Sequence, residues 1–173
     1  MSRSRLLRCV AALTLAGACR SPLGGEDIDL SIAASGLPAF GASAGLAQRI
    51  GSVHGLRLDA ELAWTHQELP DEGPRGDDWD QVFGGVRLGD PANAELRRSL
   101  RAGITWLRAE GDPQFLDDPG DYGGVYLGGG LTWRIARSLS SGPELTLSAL
   151  DSEGSKSGSG FTAELAWRLV WHL

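Results

Sequence analysis

The chain almost lacks lysine: of its 16 basic residues only Lys156 is one, and the rest are arginine. A face held in bulk water normally draws freely on lysine, whereas arginine suits paired and enclosed charges. Cysteine is nearly absent too, with Cys9 and Cys19 alone. Cys9 falls in the leader described below, so at most one thiol remains, which excludes an internal disulfide and a cysteine-based metal site. No run of eighteen apolar residues occurs, so hydropathy predicts no transmembrane helix. A net charge of -6 leaves no basic stripe to displace phosphate counterions, and a nucleic-acid partner is not expected. Against these shortages stand 25 glycines, spread without a collagen-like period, which favour strands, tight turns and bends over long helices.

The first residues read as an address. MSRSRLLR gives a basic start, CVAALTLAGA a short apolar core, and Ala16-Gly17-Ala18 a small-residue cleavage site, the pattern of an export signal. The expected organisation is a signal peptide over 1–18, a linker over 19–26 and one domain over 27–173. LAGAC resembles the lipobox of bacterial lipoproteins, with Ala16 where leucine is most usual. That resemblance implies acylation of Cys19, and ordinary cleavage that leaves a cysteine in front is the alternative.

Past this leader the apolar residues recur at every second position. In LRLDAELAWTH (56–66) one parity holds Leu56, Leu58, Ala60, Leu62 and Trp64, and the other holds Arg57, Asp59 and Glu61. A helix would scatter those charges around its cylinder, while a strand separates them onto two faces. The same alternation appears over 27–34, weakly over 42–50, and over 81–89, 96–107, 122–135 and 143–149. It closes the sequence in FTAELAWRLVWHL. About eight strands follow, many of a length that crosses a bilayer at a tilt. The connections QELPDEGPRGDD, EGDPQFLDDPGD and DSEGSKSG are long or acidic and fall at one end; IGSV, DPANAE and RSLSSG are shorter and fall at the other. This asymmetry matches membrane barrels, whose long loops face outward.

A lipocalin-like soluble barrel also has eight strands, but turns its apolar parity inward. Three features favour the inverted arrangement. Trp64 and Trp106 fall toward the long-loop end and Trp133 and Trp171 toward the short-turn end, two levels that suit lipid–water interfaces. The polar parity sets Asp59, Glu61, Glu144 and Glu164 against Arg57, Arg87, Arg101, Arg134 and Arg168, enough opposed charge to fill a lumen just wide enough for side chains. Finally, FTAELAWRLVWHL resembles the C-terminal strand of bacterial outer-membrane β-barrel proteins, with Leu173 where that family usually closes on Phe or Trp. The resemblance implies an all-β, eight-stranded antiparallel up-and-down transmembrane β-barrel in the outer membrane of a Gram-negative cell. It also implies contact with outer-membrane lipid and lipopolysaccharide, and handling by the barrel-assembly machinery.

No strong catalytic signature is present. GGVYLGGG (123–130) lacks the GK[ST] of a phosphate loop, and barrel curvature and packing account better for its glycines. Arg75-Gly76-Asp77 spells an integrin-binding tripeptide that chance readily supplies. Glu68, Asp71, Glu72, Asp77 and Asp78 in one connection, and Glu110, Asp112, Asp117, Asp118 and Asp121 in another, have carboxylates suited to Ca²⁺ or Mg²⁺ but no EF-hand spacing. Solvated loops are the simpler reading. Some small barrels of this kind modify lipid A, a deacylase and a palmitoyltransferase among them, and the resemblance implies that a deacylase would need a paired His and Ser near the outer leaflet with an acid in support. His66 stands at that height without a serine on its strand, His54 lies near a short turn, and His172 is expected to face inward. No catalytic, cofactor-binding or metal-binding residue is therefore assigned. The expectation is a non-catalytic envelope-structural or surface-interaction protein, with a lipid-anchored lipocalin-like carrier and a lipid A-modifying hydrolase as alternatives.

Overall fold

The computed structural model describes residues 28–37, 40–68, 78–91, 93–110, 120–152 and 159–173. Eight strands follow one another: β1 Ile28–Leu37, β2 Phe40–Val53, β3 Leu56–Glu68, β4 Asp78–Gly89, β5 Leu96–Glu110, β6 Gly120–Ala136, β7 Leu139–Ser152 and β8 Ser159–His172. Each pairs antiparallel with its sequence neighbours, and β8 returns to β1 from Asp29↔His172 to Leu37↔Leu165, so the sheet closes into a barrel. Closure gives every strand two hydrogen-bonded neighbours and removes the edges that an open sheet exposes. The signal peptide, Cys19, Arg75-Gly76-Asp77 and most of both acidic connections lie outside the described residues.

The parity is as the alternation predicts. On β3, Arg57, Asp59, Glu61, Ala63, Thr65 and Gln67 are buried in the lumen, which leaves Leu56, Leu58, Leu62 and Trp64 on the outer wall. The outer wall also carries Leu100, 63 % exposed, and Ile104, 71 % exposed. A lipocalin-like carrier needs its leucines around a central cavity, and these side chains point the other way. Trp64 and Trp106 stand on the outer wall toward one rim; Trp133 and Trp171 stand on it toward the other. Trp133 also stacks on Trp167, with ring centroids 6.3 Å apart. Trp79 breaks the pattern, being buried in the lumen.

Several boundaries differ from the expected ones. IGSV belongs to β2, and the turn is the His54-Gly55 pair that follows it, with φ of 50° and 82°. Two consecutive positive φ angles are what a two-residue hairpin matched to strand twist requires, so pairing runs to Val53↔Leu56. RSLSSG likewise contributes Leu139–Gly142 to β7 and leaves Arg137 and Ser138 between strands. The alternation of 42–50 is weak because both of its parities carry small residues, Ala42, Ser43, Ala44, Gly45 and Ala47, and a register shift between Arg49 and Gly51 then displaces the period by one residue. The connection from β1 to β2 spans only residues 38–39, so one connection at the long-loop rim is short.

Candidate functional site

The lumen is where side chains converge, and they do so in three tiers. At the rim where β1 begins and β8 ends, Asp29 Oδ1 lies 2.7 Å from His172 Nδ1 and accepts from Arg57 Nη1 at 3.4 Å. Arg57 Nε donates to Asp59 Oδ1 at 2.5 Å, while Arg87 Nη2 donates to Asp29 and, at 3.1 Å, to Asp59. His172 Nε2 also lies 2.9 Å from Ser140 Oγ and 2.9 Å from Arg97 Nη1. These groups come from β1, β3, β4, β5, β7 and β8, so the tier ties together most of the circumference.

The middle tier centres on Arg101. Its Nη1 donates to Glu61 at 2.8 Å and its Nη2 to Thr146 at 2.7 Å, with Glu144 at 3.3 Å. Arg168 Nη2 donates to the same Glu144 oxygen at 2.5 Å. The Arg101 guanidinium lies 5.3 Å from the Phe83 ring centroid and 5.4 Å from that of Tyr126, within cation–π range of both. Gly128 allows this placement, because a Cβ there would stand 2.9 Å from Arg101 Nε. Gly124 is as tightly confined: a Cβ there would collide with the Ala149 carbonyl oxygen, so these two glycines of 123–130 serve packing.

Above it, Gln81 Nε2 donates to Thr105 at 2.9 Å and to Ser148 at 3.1 Å. Trp79, Leu107, Ala109, Tyr122 and Leu150 form an apolar layer beside the long connections. Among the described residues, the buried charges are Arg57, Arg87, Arg97, Arg101 and Arg168 against Asp29, Asp59, Glu61, Glu144 and Glu164. The two signs balance. A low-dielectric interior demands such balance, since an unpaired buried charge is costly. The eight charges expected inside from β3, β4, β5, β7 and β8 are all buried there; Arg134 is only half-buried, and Asp29 and Arg97 join the tier unanticipated. A carboxylate at position 29 sits in an ordinary alternating strand, so only cross-lumen register reveals its arginine partners.

On the outer wall a second polar group forms near the long-loop rim. His66 Nδ1 lies 3.1 Å from Asp80 Oδ1, and Nε2 lies 3.3 Å from Glu68 Oε1. Trp64 Nε1 donates to the same Asp80 oxygen at 3.1 Å, and the Trp64 and His66 rings stack with centroids 6.1 Å apart. Both ring nitrogens of His66 thus face carboxylates. At the opposite rim, Asp90 accepts from Arg98 through its backbone N–H and Nε, each at 2.9 Å. The side-chain hydrogen bond, then the backbone one, hold the Asp90 carboxyl below its ordinary range.

Neisserial surface protein A shares this architecture, with a TM-score of 0.54 over 84% of this chain and 94% of that one at 12% identity. The N-terminal β-barrel domain of Pseudomonas aeruginosa OprF aligns over 87% of this chain and all of that domain, with a TM-score of 0.54 at 12% identity. The chain has the fold of the small bacterial outer-membrane β-barrels. Another barrel of this fold, the outer-membrane enzyme PagL, aligns at 15% identity over 84% of this chain and 99% of its own, with a TM-score of 0.51. No protein-family model and no curated protein matches the sequence. At these identities the likeness concerns the fold, which hosts both enzymes and proteins named for their place at the cell surface.

Proposed function

We propose that the chain is an integral outer-membrane barrel with an envelope-structural or surface-interaction role, without catalysis and without an open pore. The observation that carries the membrane assignment is the inverted parity: Ile104, Leu100, Leu62 and Trp167 are exposed on the outer wall while ten arginine, aspartate and glutamate side chains are buried within it. In water that wall would be one continuous apolar patch, far larger than soluble monomers tolerate. In lipid it is the stable arrangement, because the closed sheet satisfies its backbone internally. The likeness to outer-membrane barrels supports the same location.

The absence of a pore rests on the tiers, in which Arg87, Arg101 and Gln81 bridge strands across the lumen. The non-catalytic reading rests on His66, whose two ring nitrogens are both turned to carboxylates rather than to a hydroxyl nucleophile. Acylation at Cys19 is compatible with this role as a second attachment. Lipid, lipopolysaccharide and the assembly machinery are the proposed partners. Extraction tests the reading: the protein should stay with membranes through carbonate and urea washing, also as Cys19→Ser, and should migrate faster on gels when unheated. Release of Cys19→Ser into the soluble fraction would overturn it.

A further inference from the structure

Among the described residues, the wall of the barrel is lower beside β8 than elsewhere. β8 pairs with β7 all the way to Ser159↔Asp151, but with β1 only as far as Leu165↔Leu37. β2 starts at Phe40 opposite Glu68 of β3. Only residues 38–39 join β1 to β2; this hairpin reaches the end of β3 but stops beneath the outer segment of β8, and a notch is left along the β1-facing edge of β8 from Ser159 to Glu164. A cavity of about 270 Å³ occupies the notch. Its lining includes Phe161 and Ala163, whose side chains lie on the outer wall, together with the inward-facing Gln67, Trp79, Gln81, Thr162 and Glu164. A single space that touches both faces of the sheet passes through the wall.

Height follows from the strand. Phe161 stands ten positions along β8 from Trp171, and ten residues of a tilted strand rise about 25 Å, the height of the apolar band of such barrels. On the membrane reading above, on which this inference rests, the notch opens sideways at the outer lipid–water boundary. Its chemistry is graded, with Phe161 and Ala163 at the entrance and two amides, a hydroxyl and one carboxylate behind them. Gln67 lines the same space as that carboxylate, Glu164. The volume lies just under the range of about 300–1,000 Å³ that holds whole small ligands. A head group fits there and an entire lipid does not.

We propose that the notch binds the head group of a single-chain amphiphile drawn from the outer leaflet, with the hydrocarbon chain left along Phe161 and Ala163 in the lipid. Glu164 and the amide oxygens select hydrogen-bond donors, so amines and alcohols enter and anionic head groups are refused.

Decylamine, 1-decanol and decanoate, added to the protein in neutral phosphatidylcholine nanodiscs, test this. The readout is the indole N–H resonance of Trp79, identified by its loss in Trp79→Phe. A saturable shift is expected with decylamine and decanol, and an apparent affinity weaker by about tenfold or more with decanoate because of charge repulsion. Glu164→Gln should erase the preference for decylamine over decanol, and Thr162→Phe, which fills the cavity, should abolish the shift. Ala163→Leu, at the entrance, gives a second blocking variant should Thr162→Phe not fold. Equal, non-saturating shifts with all three amphiphiles, or saturation that survives both blocking variants, would overturn the site. Heat-modifiable migration of the same samples separates the causes: a barrel that inserts but ignores amphiphiles refutes the site alone, whereas failure to insert refutes the membrane reading and the site with it.

Discussion

Arg87 of β4 reaches across the lumen to Asp29 of β1, two strands that are not neighbours in the ring, and the same guanidinium meets Asp59 of β3. Both Arg87 and Asp29 are buried, so neither can turn to water if the other is lost. Removing one partner of such a pair leaves an uncompensated charge and costs about 3–5 kcal/mol. Arg87→Met should therefore lower the urea midpoint of the refolded barrel by that order. Asp29→Asn combined with Arg87→Met should cost less than the two single losses added together, and a double-mutant cycle of urea titrations reads the difference.

The outer wall makes the opposite demand. Leu62 is 52 % exposed on β3 and paired with Gly84 of β4, midway along the strand. Leu62→Arg places a cation in hydrocarbon and should lower folding stability in vesicles by about 2–4 kcal/mol. Leu58→Arg, nearer the rim where β1 begins and β8 ends, should cost less. Normal assembly of Leu62→Arg, judged by unheated gel mobility, would show that this parity does not face lipid.

Strand number, parity and the two levels of tryptophan were legible because a period of two states its own two faces, and charge on one parity tells which is enclosed. The partners within the lumen were not. Asp29 and Arg97 find each other only through the stagger of nonadjacent strands, and no local spacing encodes that. Trp79 draws no expectation from the sequence, and only register places it in the lumen with Leu107 and Tyr122. The notch was invisible for a similar reason, since it arises from a difference in length between β1 and β8 and not from any residue's chemistry.

Glycines divide by the same logic. Gly103 pairs with Gly85 on the lumenal parity, and a Cβ at either would collide with backbone of the facing strand and come within 2.9 Å of Tyr126. Gly129 faces outward, where an added Cβ meets only Leu100 Cδ2 and Ser99 O at 3.4 Å. Gly103→Ala should destabilise by about 1–3 kcal/mol through overpacking. Gly129→Ala should lie within about 0.5 kcal/mol of the parent, as surface changes do. Equal midpoints for the two variants in urea would contradict the packing of Tyr126 over these strands.

The connection between β4 and β5 gives a test by pH. Asp90 accepts three hydrogen bonds from Arg98, two from its side chain and one from its backbone N–H, which hold its carboxyl below the ordinary range. A carboxylate whose folded value is depressed adds stability that is fully present above its unfolded value, near 4 for aspartate, and that is lost as pH falls through the folded value. The local hold on this turn should therefore persist from neutrality down to mild acid and give way only below the usual carboxylate range. Amide hydrogen exchange at Arg98 reports it, because the Asp90 carboxylate accepts that N–H directly. Protection relative to neighbouring strand amides should drop on strong acidification, and Asp90→Ala should show the unprotected behaviour at every pH. Protection at Arg98 that is equal in parent and variant at neutral pH would mean that the strand ladder, and not Asp90, secures the turn.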